Sequence, residues 1–178
     1  MSGEPIRFEC LQCGECCRRL VFDRQGVRKG LPLFPDERHV FPEELVKPGL
    51  GIGSSPDDED FEIISYQMTE KVCPHLEDDR CGIWPRRAVM CRSYPFVPVI
   101  TQGGYVIREC SFDCTALGRL AGMQQAAKLR FDPETVREEL ENVKKASKIT
   151  RRAMENVDEA WFYDLKTDDW LPFREMLR

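Results

Sequence analysis

The sequence predicts an α+β fold: a small cysteine-rich domain of short strands over residues 1–114, then a C-terminal helical hairpin over 115–178. Three observations predict it. The first 114 residues break into brief apolar runs separated by Gly, Pro and Asp, too short for long helices. All nine cysteines lie before residue 115. Beyond that point Ala, Leu, Met and Gln become frequent and apolar residues recur at helical spacing.

In chain order, residues 6–10 read as a strand entering the first cysteine cluster, and 18–22 as a strand leaving it. Residues 26–35 are turn-like. Residues 36–41 and 43–46 read as short helical turns, each beginning at or just after a proline. Residues 47–60 read as a loop, with Gly49, Gly51 and Gly53 followed by Asp57-Asp58-Glu59-Asp60. The spaced glycines suggest a phosphate loop, but no strand precedes them and the acids that follow would repel phosphate. Residues 61–68 form a strand. Residues 96–100 and 105–110 flank Thr101-Gln-Gly-Gly104, a hairpin signal. A first tail helix spans 117–131. Asp132-Pro133-Glu134 supplies a cap, a proline and an acid for a second, reaching about residue 157. Its stripe of Val136, Leu140 and Val143 is expected to pack on Leu117, Leu120 and Leu129. Trp161-Phe162-Tyr163 and Trp170-Leu171-Pro172-Phe173 are aromatic enough to dock on the rest.

The cysteines are the chemically informative residues. Cys10, Cys13, Cys16 and Cys17 fall within eight residues, and Cys73, Cys81, Cys91, Cys110 and Cys114 follow. Two cysteines separated by two residues bind one metal from a single turn of backbone, and that spacing occurs twice in succession. Zinc and iron–sulfur sites both use it, so spacing alone does not choose between them. Gly14 gives the loop the backbone freedom that close ligands require. Thiolate sites carry net negative charge and call for nearby cations. Arg18 and Arg19 follow the first cluster, while Arg86, Arg87 and Arg92 surround Cys91. His75 reads as a hydrogen-bonded loop residue and His39 as a surface residue. Cys16 and Cys17, being adjacent, are expected to point apart and serve different centres.

The segments Cys10-x2-Cys13-x2-Cys16-Cys17, Cys73-Pro74-x-Leu76, Cys81-x-Ile83-Trp84, Arg87 and Cys91-Arg92-x-Tyr94-Pro95-Phe96 occur in that order. Together they resemble the CxxCxxCC cysteine-cluster family, a zinc- or iron-chelating group that includes relatives of flagellin N-methylase. The resemblance covers roughly residues 8–112. Ala88 stands where the family pattern has proline. The resemblance implies a metal-binding domain with Cys10, Cys13, Cys16, Cys17, Cys73, Cys81, Cys91 and Cys110 as ligands, and leaves Cys114 as the odd thiol. Arg18, Arg87 and Arg92 are the expected cations around the bound group.

The net charge of −5 argues against nucleic acid as the main partner. No apolar run is long enough to span a bilayer. The N-terminal residues lack a signal-peptide pattern, so the cytoplasm is the expected compartment, where clustered cysteines read as metal ligands or redox thiols rather than structural disulfides. The expectation is a cytoplasmic iron–sulfur protein holding a 4Fe–4S cluster, with an electron-transfer or enzyme-accessory role and an unidentified protein or redox partner. The alternative is a Zn2+-stabilised interaction module without catalysis. No nucleotide loop or Cys-x3-Cys-x2-Cys run assigns a reaction: Cys110-x3-Cys114 is followed by Leu117.

Overall fold

A computed structural model describes residues 5, 7–24, 26–100, 106–110, 114–120 and 131–177. For residues 99, 100, 106–110 and 118–120 it describes the backbone alone. The architecture is mixed α+β, with several small sheets and few helices.

The central sheet has five strands in the order β11-β10-β4-β5-β3. These are β3 (Pro32–Leu33), β4 (Val46–Ile52), β5 (Glu62–Met68), β10 (Ala160–Asp164) and β11 (Asp169–Pro172). All the pairings are antiparallel. Two-stranded hairpins surround it: β1 (Val21–Arg24) with β2 (Val27–Gly30), β6 (Leu76–Glu77) with β7 (Arg80–Cys81), and β8 (Phe96–Ile100) with β9 (Val106–Cys110). The helices are α1 (Val89–Ser93), α2 (Thr115–Leu120) and α3 (Arg137–Glu155).

The expected helical turns appear as 3-10 turns at Pro35–Val40 and Glu43–Leu45, and the strand over 61–68 is β5. The hairpin at 96–110 forms with Phe96 opposite Cys110, its turn lying outside the described residues. Other local expectations are corrected. Residues 7–10 are not a strand, and the turn-like stretch 26–35 contains β2 and β3.

The glycine-rich loop is largely a strand. β4 runs through Gly49 and Gly51, with register shifts between Pro48 and Leu50 and between Leu50 and Gly51. Local propensity argues against a strand there. Tertiary packing requires small residues: a Cβ on Gly51 would lie 2.2 Å from the Phe61 ring. The glycines let the aromatic close over the strand.

In the tail, α2 begins the expected first helix, and residues 121–130 lie outside the described part. Asp132 caps a turn rather than the helix itself. Its Oδ1 accepts the Glu134 N–H at 3.0 Å and its carbonyl accepts the Thr135 N–H at 3.0 Å; α3 then begins at Arg137. Val136 and Val143 pack with Leu117, Phe8 and Phe96 in one core cluster. Further along, Ala153 meets Ile64, Ala160, Phe162 and Phe173. The aromatic end does more than dock. Trp161-Phe162 lies in β10, which pairs with β4, so residues beyond 115 supply two strands of the central sheet.

Gln67 holds that sheet to its neighbours from inside. It is 2% exposed. Its Oε1 accepts the Gly30 N–H at 2.8 Å, and its Nε2 donates to the carbonyls of Pro48 at 2.9 Å and Tyr163 at 2.7 Å. A buried amide is tolerated here because both of its ends are paired.

Candidate metal centre

The first cysteine cluster turns back on itself. Gly14 adopts φ +70°, and the 3-10 turn Glu15–Arg18 follows it. The Cys17 N–H donates to the Gly14 carbonyl at 2.9 Å. The turn is strapped to the second cysteine region by two backbone bonds: Leu20 N–H to the Lys71 carbonyl at 2.9 Å, and Cys73 N–H to the Cys17 carbonyl at 2.7 Å. Cys81 ends β7 opposite Leu76, Cys91 lies on α1, and Cys114 directly precedes α2. Ala88 is buried at the start of α1. It cannot cap the helix, and Glu37 does so from outside, its Oε1 accepting the Val89 N–H at 2.7 Å.

These elements enclose one cavity of about 630 Å³. Cys10, Cys13, Cys16 and Cys17 line it from the first cluster; Cys73, Cys81 and Cys91 line it from the second, and Cys114 from the start of α2. All eight are free thiols. Cys114, expected as the odd thiol, therefore shares the cavity. Of Cys110 only the backbone is described, at the end of β9. Sequence offered one signal for Cys114: its four-residue spacing from Cys110.

Cys16, exposed, and Cys17, buried, both line this cavity. Both sit in one tight 3-10 turn rather than in an extended strand. The Cys17 thiol and its neighbours Cys16 and Cys73 shift one another's ionisation. The neighbouring Cys16 and Cys73 thiols, and burial, raise the pKa of Cys17. Cys17 in turn lowers Cys73 to about 6 and Cys16 to about 7. Burial pushes the thiols of Cys10, Cys81, Cys91 and Cys114 up. Among the described residues, no three His, Cys, Asp or Glu side chains converge on a single ion position as placed.

The three expected arginines separate. Arg87 lines the thiol cavity. Its guanidinium lies 3.4 Å over the Trp84 ring and its Nε donates to the Trp84 carbonyl at 2.9 Å. It lowers the cost of negative charge at Cys10, Cys16, Cys81 and Cys91. Arg18 instead pairs with Asp79 at the β6–β7 turn, both side chains well exposed. Arg92 lines a neighbouring cleft, and Arg19 takes a place on the thiol cavity. His75 shares a hydrogen bond with the Val40 carbonyl at 2.7 Å and packs on Phe41, while His39 is exposed.

The donor set is chemically consistent. Sulfur dominates the cavity, and clustered thiolates select zinc or iron–sulfur clusters over hard cations. The family model CxxCxxCC, described as "Putative zinc- or iron-chelating domain", matches residues 9–115, more than half of the chain. The chain belongs to the CxxCxxCC family. Membership supports metal binding by this protein and covers both zinc and iron. The matched span runs from the residue before Cys10 to the first residue of α2, so Cys114 falls within it. Neither curated proteins nor solved structures gave a match. No helix among the described residues is long and apolar enough to cross a membrane.

Proposed function

We propose that this CxxCxxCC protein holds an iron–sulfur cluster in the thiol cavity and serves in the cytoplasm as an electron-transfer or enzyme-accessory protein. One observation carries the reading: eight cysteines line a single cavity of about 630 Å³. A four-coordinate zinc ion uses four ligands and little space. A cluster is bulkier and draws on thiolates from several segments. The bound group would supply one-electron redox chemistry. The residues would do the rest. The cysteines lose their protons and ligate, and Arg87 offsets the resulting negative charge. Leu20, Leu31 and Met90 keep one side of the cavity apolar. Leu11 and Phe22, 43% and 47% exposed, stand at the cavity and offer apolar contact to a protein partner.

The test is metal and acid-labile sulfide analysis of protein purified without oxygen. Iron and sulfide in comparable amounts, with broad visible absorption lost in Cys17→Ser and Cys73→Ser variants, is the expected result. Colourless protein with stoichiometric zinc and no sulfide would overturn it in favour of a zinc-stabilised, non-catalytic interaction module.

A further inference from the structure

A second cleft, of about 680 Å³, lies beside the thiol cavity and shares Ile83 and Arg87 with it. Its chemistry is different: it contains no cysteine. Five Lys and Arg side chains and two carboxylates line it. Arg86 precedes α1, Arg92 lies on α1, and Lys145 and Lys148 come from α3. Among the described residues, none of these four is in an ion pair. With five Lys and Arg against two carboxylates, the lining is net positive. Both oxygens of Glu37 are committed to backbone, Oε1 to the Val89 N–H at 2.7 Å and Oε2 to the Phe34 N–H at 3.0 Å. Asp36 is exposed at the edge.

Arg92 is the decisive residue. Its Nε is buried and has no hydrogen-bond partner among the described residues. A buried, unpaired guanidinium donor is costly, and it calls for a partner such as a water, an ion or a ligand. Phe34, Ile83 and Val89 add apolar lining. The volume falls in the range of small-molecule sites, which combine an apolar body with a few converging polar groups.

We propose that this cleft binds a phosphate-bearing small molecule, the phosphate between Arg86, Arg92, Lys145 and Lys148 and the apolar part against Phe34, Ile83 and Val89. Guanidinium groups and ammonium groups together suit a dianion better than a single carboxylate does. The site is independent of which metal the thiol cavity takes.

Adenosine monophosphate is the probe, titrated calorimetrically into the full-length, anaerobically purified protein at low ionic strength, with inorganic phosphate as competitor. Saturable binding that phosphate displaces is expected. Arg92→Met should weaken it by about tenfold or more, since a charge-assisted hydrogen bond is lost. The same variant should melt no lower than wild type without ligand, because the substitution removes an unsatisfied group. Lys145→Gln/Lys148→Gln, both exposed on α3, should weaken binding severalfold with the fold intact. Lys166→Gln/Arg174→Gln, outside the cleft, should leave it unchanged. Metal content measured on every variant should equal that of wild type. Absence of saturable binding overturns the proposal. So does equal weakening in the Lys166/Arg174 control, or wild-type affinity in folded Arg92→Met. If Arg92→Met does not fold, the lysine pair decides by the same criterion.

Discussion

Cys73 donates its backbone N–H to the Cys17 carbonyl at 2.7 Å, and both side chains line the thiol cavity. Two segments far apart in sequence are thereby joined through their backbones at the wall of the thiol cavity. The link is an ordinary amide hydrogen bond. Ligation would add to it.

Metal removal is therefore expected to loosen one part of the molecule more than the other. Structural metal in small domains contributes on the order of 10 kcal/mol to folding. Chelation should expose residues 8–112 to protease and lower the melting temperature, while α3 keeps much of its helical signal. Circular dichroism and limited proteolysis, before and after chelation, check this. Unchanged melting and unchanged protease resistance would count against metal as a structural element.

Gly14→Ala should weaken the same region. Its φ of +70° costs a side-chain-bearing residue about 1–2 kcal/mol. A Cβ there would also lie 2.6 Å from the Asp79 carbonyl oxygen. The turn that presents Cys13, Cys16 and Cys17 would shift away from β6–β7. Lower metal content per chain and a stability loss of about 2 kcal/mol or more are expected. Gly26→Ala makes a useful comparison: its φ is +84° but its Cβ meets nothing within 4 Å, so it should lose some stability without losing metal.

Gln67→Leu keeps the volume and deletes the polar network. The Gly30 N–H and the Pro48 and Tyr163 carbonyls would lose their partner. Each stranded buried group costs about 1–3 kcal/mol, so a loss of about 3 kcal/mol or more is expected. Urea denaturation measures it. A change under 1 kcal/mol would mean that the network contributes little.

Asp164 makes stability sensitive to acid. It is 2% exposed. Burial alone would raise its pKa, but the N–H groups of Arg28 at 2.7 Å and Lys166 at 3.0 Å, with the Thr167 hydroxyl, outweigh that and hold it below the usual carboxylate range. The folded value lies below the unfolded one. Its stabilisation is thus complete above the unfolded pKa of about 4 and is lost as pH falls through the folded value. Asp164→Asn should cost about 2 kcal/mol at neutral pH, from the charge-assisted bonds lost. The gap between wild type and variant should narrow below about pH 4. A gap that stays constant with pH would show that the carboxylate's charge is not what matters.

By itself, the sequence determined what local chemistry determines. Clustered cysteines at two-residue spacing announced a thiol site, and Gly14 announced the turn that presents it. Proline-led turns, the hairpin over 96–110 and the amphipathic run of α3 were legible because each depends on contacts within a few residues. The tertiary structure decided the rest through non-local bonds. Gly49 and Gly51 became a strand only because β5 and β10 supply hydrogen bonds on both sides and Phe61 needs the space. Trp161-Phe162-Tyr163 became a strand in the central sheet because β4 presents an open edge to it. Arg18, Arg87 and Arg92 look alike in sequence, yet Asp79, Trp84 and the second cleft give each a different neighbourhood. Charge is a property of the residue, but what it faces is set by elements distant in the chain.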